Sequence, residues 1–237
     1  MIVRDLANSV VIFNPHRQKK IPSFGIVAYH HTTRRFLVVC RRFSPNYITV
    51  LRGAFKRSNL PKLIYGMTLD EQNSLMSIFN GKNNIEKLIE EVCPFSDREY
   101  ACMRFKIEQD LMLPALESAF QKKYFSTKEW LFPKGRIERN ESFLDAAYRE
   151  FREETGVSTP LPIPINTRPI VVYHKGDNDF FYETRYWVIS TDEELVFPEN
   201  YKNYEISDCR YFSLADLNIV LSETQKLVLQ EACATLL

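Results

Sequence analysis

The stretch GRIERNESFLDAAYREFREETGV, residues 135–157, decides the fold of this chain. Ser142 followed by Asp145 is typical of a helix N-cap and its partner, and Gly156 is typical of a helix C-cap. A helix is therefore predicted from about Ser142 to Thr155. Apolar residues recur along one side of this helix, which predicts that this side docks on a sheet. They are Phe143, Ala146, Ala147 and Phe151.

Three glutamates share another side of the predicted helix. Glu150, Glu153 and Glu154 stand at positions i, i+3 and i+4, so their carboxylates lie on one face. Carboxylates this close repel one another unless a cation joins them, and hard oxygen ligands in this number suit Mg²⁺ or Mn²⁺ bridging to phosphates. Arg149 is placed to hold the carboxylate of Glu153, four residues later. Glu141 is placed to fold back towards the same cluster. A solvated acidic face with one salt bridge is the simpler interpretation, but it leaves the set spacing of the flanking residues unexplained.

That spacing resembles the Nudix box, G-x5-E-x7-R-E-U-x-E-E-x-G-U with U apolar, at every defined position from Gly135 to Val157. The resemblance implies an α/β fold, an α/β/α sandwich on a mixed β-sheet, with the box as a loop, a helix and a loop. It implies an enzyme that hydrolyses a nucleoside diphosphate linked to another group, with Mg²⁺ or Mn²⁺ as cofactor.

The same resemblance implies roles for individual residues. The metal ligands would be Glu150, Glu153 and Glu154, assisted by the carbonyl of Gly135. The general base would be one of these glutamates or an acid in a later loop, for which Glu205 is the candidate. Two further expectations complete the site: Glu141 and Arg149 belong to the catalytic group, and Lys134 contacts a phosphate.

Strands and helices are predicted along the rest of the chain from periodicity and turn residues. Strands are expected at 9–13, 23–29, 36–42, 130–132, 170–174, 181–190 and 210–212, an extended piece at 47–55, and a closing helix at 223–236. Residues of about 60–126 have the apolar spacing of helices, with a capping box formed by Thr68 and Glu71. We therefore expect one Nudix domain over 1–237, interrupted by a mainly helical insertion.

The charge of the chain is unevenly distributed. The net charge of +1 is the sum of +10 over residues 1–60, which hold eleven Lys and Arg and one acid, and −9 over the remainder. A basic region beside an acidic metal site suits a long polyanion whose end reaches the metals. Positive and negative residues are therefore not evenly mixed along the sequence, so the near-zero net charge does not argue against a nucleic-acid partner.

A wider pattern resembles one Nudix branch, the mRNA-decapping enzymes of large cytoplasmic DNA viruses such as poxviruses and African swine fever virus. The likeness rests on five segments: SFGIVAY, VVCRRFS, MTLDEQNSL, WLFPKG and AAYREFREETG. It implies capped RNA as the substrate and the cytoplasm, the host cytoplasm if the protein is viral, as its location. The absence of a signal-like N-terminus and of a long apolar run agrees with that location.

Recognition of an RNA cap makes its own chemical demand. A cationic 7-methylguanine ring stacks well between aromatic side chains, and a carboxylate accepts hydrogen bonds from the guanine edge. The candidate residues for substrate binding are Lys134, Arg41, Arg42, Asp177 and the aromatics Tyr47 (or its neighbour Phe43) and Tyr186.

Two other functions stay open. One is hydrolysis of small polyphosphates, such as diphosphoinositol or dinucleoside polyphosphates. The other is RNA binding without turnover, which gives the glutamate cluster no purpose.

Overall fold

A computed structural model describes residues 19–79, 127–198 and 203–237. The predicted strand at 9–13 and the part of the predicted insertion from residue 80 to 126 lie outside the described residues. The described chain forms a mixed α/β fold built on one seven-stranded sheet.

Strands β1 (Lys20–His30) and β2 (Arg35–Arg41) form the antiparallel hairpin that the sequence predicts. Arg34 in the turn has a positive φ of 55°, which lets the chain reverse between the two strands. β1 also pairs in parallel with β6 (Phe181–Thr191), and β6 pairs antiparallel with β5 (Ile170–Lys175). The parallel pair in an otherwise antiparallel sheet makes the sheet mixed, as predicted.

The first two strands separate over their other halves, and a short segment fills the split. β3 (Trp130–Leu131) pairs with the end of β2, and β4 (Lys134–Gly135) pairs with β1 at Phe24 and Gly25. β7 (Ile206–Ser213) covers the outer edge of β2. The split therefore places residues 130–135 in the middle of the sheet, directly before the box.

Two helical layers cover the sheet. The box helix, α4 (Phe143–Thr155), packs on one face with Ala146, Ala147 and Phe151 fully buried. Helices α5 (Leu214–Val220) and α6 (Glu223–Leu236) cover the other face. Phe143 also docks on the sheet, because its ring stacks on Phe24 of β1 with centroids 4.7 Å apart, but its side chain stays 49% exposed.

The helical part after β2 begins earlier than predicted. Helix α1 (Pro45–Leu51) occupies most of the stretch 47–55 that the sequence analysis expected to be extended, so that expectation was wrong. The Ser44 hydroxyl accepts the Tyr47 N–H at 3.1 Å and Pro45 takes the first helical position, which together start a helix. Helices α2 (Leu60–Tyr65) and α3 (Leu69–Phe79) follow.

The predicted capping box at the start of α3 is present, and it does more than cap. The Thr68 N–H donates to the Glu71 carboxylate at 2.8 Å, and the Glu71 N–H donates back to the Thr68 hydroxyl at 3.3 Å. The same buried carboxylate accepts the N–H and the hydroxyl of Ser44 at 2.6 and 2.7 Å. Glu71 therefore ties the start of α1 to the start of α3.

Candidate active site

Gly135 lies directly against the box helix because β4 fills the split in the sheet. A Cβ atom at this position would overlap the Glu150 carboxylate, so only glycine leaves room for that group. The loop between β4 and α4 thus places two residues predicted to bind the metal, Gly135 and Glu150, side by side.

Arg149 is the centre of the cluster. Its guanidinium donates to Glu141 at 2.9 and 3.1 Å, to Glu150 at 3.0 Å and to Glu153 at 3.0 Å. It also donates to the Arg136 carbonyl at 2.7 Å, which fixes the loop before the helix. The predicted pair with Glu153 and the folding back of Glu141 are both present. One planar cation with five donors holds three carboxylates in a fixed arrangement.

Glu154 lies deeper than the other glutamates of the cluster. Its side chain is buried and accepts the Lys134 backbone N–H at 2.8 Å. Burial raises the pKa of Glu154 to about 8 and, by a smaller shift, the pKa of Glu150 as well. Burial also lowers the pKa of Lys134 to about 8, so its ammonium stands in the same poorly solvated region. Both carboxyls are therefore poorly solvated, and a bound cation would stabilise their charged forms.

The donor set fits a hard divalent cation. Among the described residues, no three acidic, histidine or cysteine side chains converge to hold an ion as they stand. Each carboxylate is instead hydrogen-bonded to Arg149 or to the Lys134 backbone. The cluster nevertheless offers carboxylate oxygens, a glycine that leaves space beside one of them, and two raised pKa values that a cation would relieve.

The loop before β7 brings Glu205 to the same cluster. The Asn203 side chain bonds both the Glu153 carbonyl and the Glu205 N–H, at 2.7 and 2.8 Å, so this loop lies against α4. The charge of Glu205 makes a small contribution to the raised pKa of Glu150. The backbone carbonyl of Glu205 accepts the Arg42 N–H at 2.7 Å. The Glu205 side chain is exposed, and no hydrogen bond or ion pair from the described residues engages its carboxylate.

A cavity of about 440 Å³ opens at the end of β2. Its walls come from the end of β2, the start of α1 and α3, the turn between β5 and β6, and the connection of α5 to α6. Three of the predicted substrate-binding residues line it: Arg41, Arg42 and Asp177. Arg41 pairs with Glu129 at 3.2 Å, and its charge also acts on Glu154, so the cavity and the carboxylate cluster are neighbours.

Asp177 is held by the helices that follow β2. Its carboxylate accepts the Asn46 amide at 3.0 Å and pairs with Lys62 at 3.1 Å. Asp179 in the same turn accepts the Asn59 amide at 2.7 Å. These contacts clamp the β5–β6 turn onto α1 and α2, and they leave Asp177 at the cavity wall.

The two tyrosines predicted to stack on a base are not available for that role. Tyr47 and Tyr186 are 1% and 0% exposed. The Tyr186 hydroxyl accepts the Gln225 amide at 3.0 Å inside the core, and burial raises its pKa. Tyr47 packs against Phe43 with ring centroids 5.5 Å apart. A fully buried ring has no face to offer a ligand, so the prediction for both residues is corrected.

Asn203 was not identified from the sequence. Its side-chain oxygen accepts the N–H groups of Glu205 and Ile206 at 2.8 and 2.6 Å, and its amide donates to the Glu153 carbonyl at 2.7 Å. An asparagine two residues before a candidate acid and three before a strand was the available signal. The bond to Glu153 spans 50 residues of sequence, which no local pattern shows.

Comparisons with known proteins identify the family of this chain. The NUDIX domain family model matches residues 112–231, half of the chain, and the chain therefore belongs to the Nudix family. It is a Nudix hydrolase, a pyrophosphatase by class, with the mixed sheet and flanking helices described above. Within the described residues, no helix is long and apolar enough to cross a membrane.

Two curated relatives are similar over different lengths. A "Putative mRNA-decapping protein" of Acanthamoeba polyphaga mimivirus is 25% identical over 245 residues, covering 89% of this chain and 67% of the relative. A "Probable DHNTP pyrophosphohydrolase" of Lactococcus lactis subsp. cremoris is 43% identical over 79 residues, covering 31% of this chain and 47% of the relative. This chain thus spans less than half of the second relative.

Solved structures similar to this chain include a NUDIX hydrolase from Nitrosomonas europaea and a C. elegans Ap4A hydrolase. Both have a TM-score of 0.46, at 12% and 10% identity. They cover 91% of this chain, and the likeness spans 90% and 96% of their own chains.

Proposed function

We propose that this Nudix hydrolase is a metal-dependent mRNA-decapping pyrophosphatase. It would cut the triphosphate bridge of the 5′ cap and release 7-methylguanosine diphosphate and RNA with a 5′-monophosphate. The observation that carries the proposal is the position of the carboxylate cluster beside an arginine-lined cavity, in a chain whose first 60 residues have a net charge of +10. The likeness to a mimivirus protein described as a decapping protein, over 89% of this chain, supports capped RNA as substrate. A cytoplasmic location, in the host if the protein is viral, belongs to the same proposal.

In this proposal, one group of residues binds the metal and another binds the substrate. Glu150, Glu153 and Glu154, with the Gly135 carbonyl, would hold Mg²⁺ or Mn²⁺. Such ions would supply positive charge against the phosphates and would lower the pKa of a bound water. Arg149 keeps the carboxylates in place through the hydrogen bonds described above. A side chain that holds its neighbours in this way is a positioning residue, as is Glu141, which it binds.

Glu205 is the side chain best placed to take the proton of the attacking water. The glutamates of α4 are already engaged by Arg149 or by the Lys134 backbone, whereas the described residues leave the Glu205 carboxylate open. A general base needs an open lone pair and a position within reach of the reacting water. The Asn203 side chain bonds the Glu153 carbonyl and the Glu205 N–H, so the loop of Glu205 lies against α4.

The cavity would hold the cap side of the substrate. Arg41 and Arg42 supply cations for the phosphates, with Lys134 close to the carboxylates. Asp177 supplies a carboxylate at the wall where a guanine edge would donate hydrogen bonds. To do so it must exchange the Asn46 amide for the guanine donors.

The test is a substrate panel with product identification. The protein is incubated with cap-labelled RNA, free cap analogue, a dinucleoside polyphosphate and a diphosphoinositol polyphosphate, each with Mg²⁺ or Mn²⁺. Release of labelled 7-methylguanosine diphosphate from long RNA, well above cleavage of the free analogue, supports decapping. Efficient cleavage of the small ligands alone supports the small-polyphosphate alternative and overturns the proposal. RNA binding without any cleavage supports the third function.

The salt dependence of RNA binding provides a second test of the proposal. If the basic residues contact several phosphates, raising the salt from 50 to 200 mM lowers the affinity for RNA by about 10-fold or more. Arg41→Ala with Arg42→Ala should make this dependence shallower, because two phosphate contacts are removed. The matched control is Arg34→Ala with Arg35→Ala, at the far end of the hairpin. Affinity that does not respond to salt would contradict an electrostatic hold on the RNA.

A further inference from the structure

The loop that carries Glu205 is fixed at three points. The Glu205 N–H donates to the Asn203 side chain at 2.8 Å, its carbonyl accepts the Arg42 N–H at 2.7 Å, and the next residue, Ile206, is buried in the core. The backbone of Glu205 is therefore held on both sides.

Asn203 is the part of this arrangement that reaches the box helix. Its amide donates to the main-chain carbonyl of Glu153 at 2.7 Å, while its oxygen accepts from Glu205 and Ile206. One side chain thus connects the backbone of a predicted metal ligand to the backbone of the candidate base. The Asn203 N–H also donates to the Ile206 carbonyl at 3.1 Å, which closes the turn.

We propose that Asn203 is a positioning residue that sets the distance between Glu205 and the metal-binding carboxylates of α4. The proposal rests on the function proposed above for the cluster and on Glu205 as the base. A planar amide that donates on one side and accepts on the other is suited to this task, because it fixes both elements relative to each other. Near the reacting atoms, a displacement of about 1 Å can reduce the rate by about 100-fold.

A loop asparagine of similar kind, elsewhere in the chain, supplies the control. The Asn166 oxygen accepts the Val188 N–H at 2.8 Å, and its amide donates to the Arg168 carbonyl at 2.9 Å. It therefore braces a loop onto β6 with the same types of hydrogen bond. Asn166 makes no contact with Glu205 or with the box helix among the bonds of the described residues.

The experiment is a double-mutant cycle in the full chain. Asn203→Ala and Glu205→Gln are measured alone and together, with kcat and KM for capped RNA. If capped RNA is not cleaved, the panel substrate that is cleaved replaces it, which separates failure of this inference from failure of the proposed function. We expect each single change to lower kcat by about 10- to 100-fold with KM within about twofold, and the double variant to match Glu205→Gln.

Two further variants make the double-mutant cycle more specific: the control Asn166→Ala and the conservative variant Asn203→Asp. Asn166→Ala should lower Tm without changing kcat, and its effects should add to those of Glu205→Gln. Asn203→Asp keeps the acceptor for the two N–H groups but loses the donor to Glu153, so we expect kcat between those of the wild type and Asn203→Ala. Losses of Asn203→Ala and Glu205→Gln that multiply in the double variant would overturn the proposal, since Asn203 would then act independently of Glu205.

A readout that needs no turnover accompanies the kinetics. Amide hydrogen exchange of the peptide containing Glu205 and Ile206 should become faster in Asn203→Ala, while peptides of α6 keep their protection. Unchanged exchange at this peptide would also overturn the proposal, because the loop would then be held without Asn203.

Discussion

Helices α4 and α6 are built alike but differ in their chemistry. They have 13 and 14 residues, follow Ser142 and Ser222, and pack on opposite faces of the same sheet. The outer surface of α6 carries one ordinary ion pair, Lys226 with Glu223 at 2.8 Å. The α4 surface that faces the split holds an arginine bound to three carboxylates. The apolar side makes each helix pack on the sheet, and the proposed function of α4 rests on the residues that face the split.

The largest expected difference between the two helices is the effect of removing one carboxylate charge. Glu153→Gln should lower kcat by about 1,000-fold, because several kcal/mol of transition-state stabilisation by the metal are lost. RNA binding, measured by filter retention, should remain. The matched change on α6, Glu231→Gln, removes an exposed carboxylate and should leave kcat unaltered. Full activity of Glu153→Gln would remove Glu153 from the metal ligands.

On the α4 side of the sheet, Gly135 of β4 lies directly against the Glu150 carboxylate. Gly135→Ala puts a methyl group where the Glu150 carboxylate lies, so the carboxylate must move. We expect kcat to fall by about 100-fold and the affinity for Mn²⁺ to fall in parallel. Circular dichroism checks that the fold is kept. Unchanged Mn²⁺ affinity in a folded variant would refute the role of this contact.

One basic residue from each helix gives the next comparison. Arg149→Lys keeps the charge but loses the planar set of donors that binds Glu141, Glu150 and Glu153 together. The expected loss in kcat is about 10- to 100-fold. Lys226→Ala on α6 breaks a surface pair and should change the free energy of unfolding by less than about 1 kcal/mol, with kcat unchanged. Equal effects of the two substitutions would contradict the positioning role of Arg149.

The sequence predicted the framework well where the signals are local. The caps of α4, the β1–β2 hairpin, the capping box at Thr68 and the C-terminal helix are all present. The β-branched residues after Tyr47 indicated an extended segment, but the Ser44 cap and the burial of that face produce a helix. The roles of side chains were harder to predict from the sequence where they depend on contacts between residues far apart in the chain. Asp177 meets Asn46 across 131 residues, and the burial of Tyr186 depends on α6.

The smallest expected effect concerns pH and stability. Burial raises the pKa of Glu154 to about 8, so the metal-free native state keeps a proton that the unfolded state releases from about pH 4 upward. This contribution to the free energy of unfolding is complete at low pH and is lost as the pH rises through 8. Because the pKa of His174 is lowered to about 4 and acts in the opposite sense, the wild type is compared with Glu154→Gln.

Urea unfolding in EDTA at pH 6 and pH 8.5 measures this difference. The wild type should lose more stability than Glu154→Gln between the two pH values, while Glu231→Gln on α6 should follow the wild type. The same loss in all three proteins would show that the Glu154 carboxyl is not the group that titrates.

The central claim, that this cluster acts on capped RNA, is tested most directly by one ratio. It is kcat/KM for a cap-labelled RNA of several tens of nucleotides divided by kcat/KM for the free cap analogue, under the same Mg²⁺ or Mn²⁺ concentration. The account predicts a ratio above about 10, with 7-methylguanosine diphosphate as the labelled product, because the basic region adds phosphate contacts that the analogue lacks. A ratio at or below one, together with rapid cleavage of small polyphosphates, would contradict it.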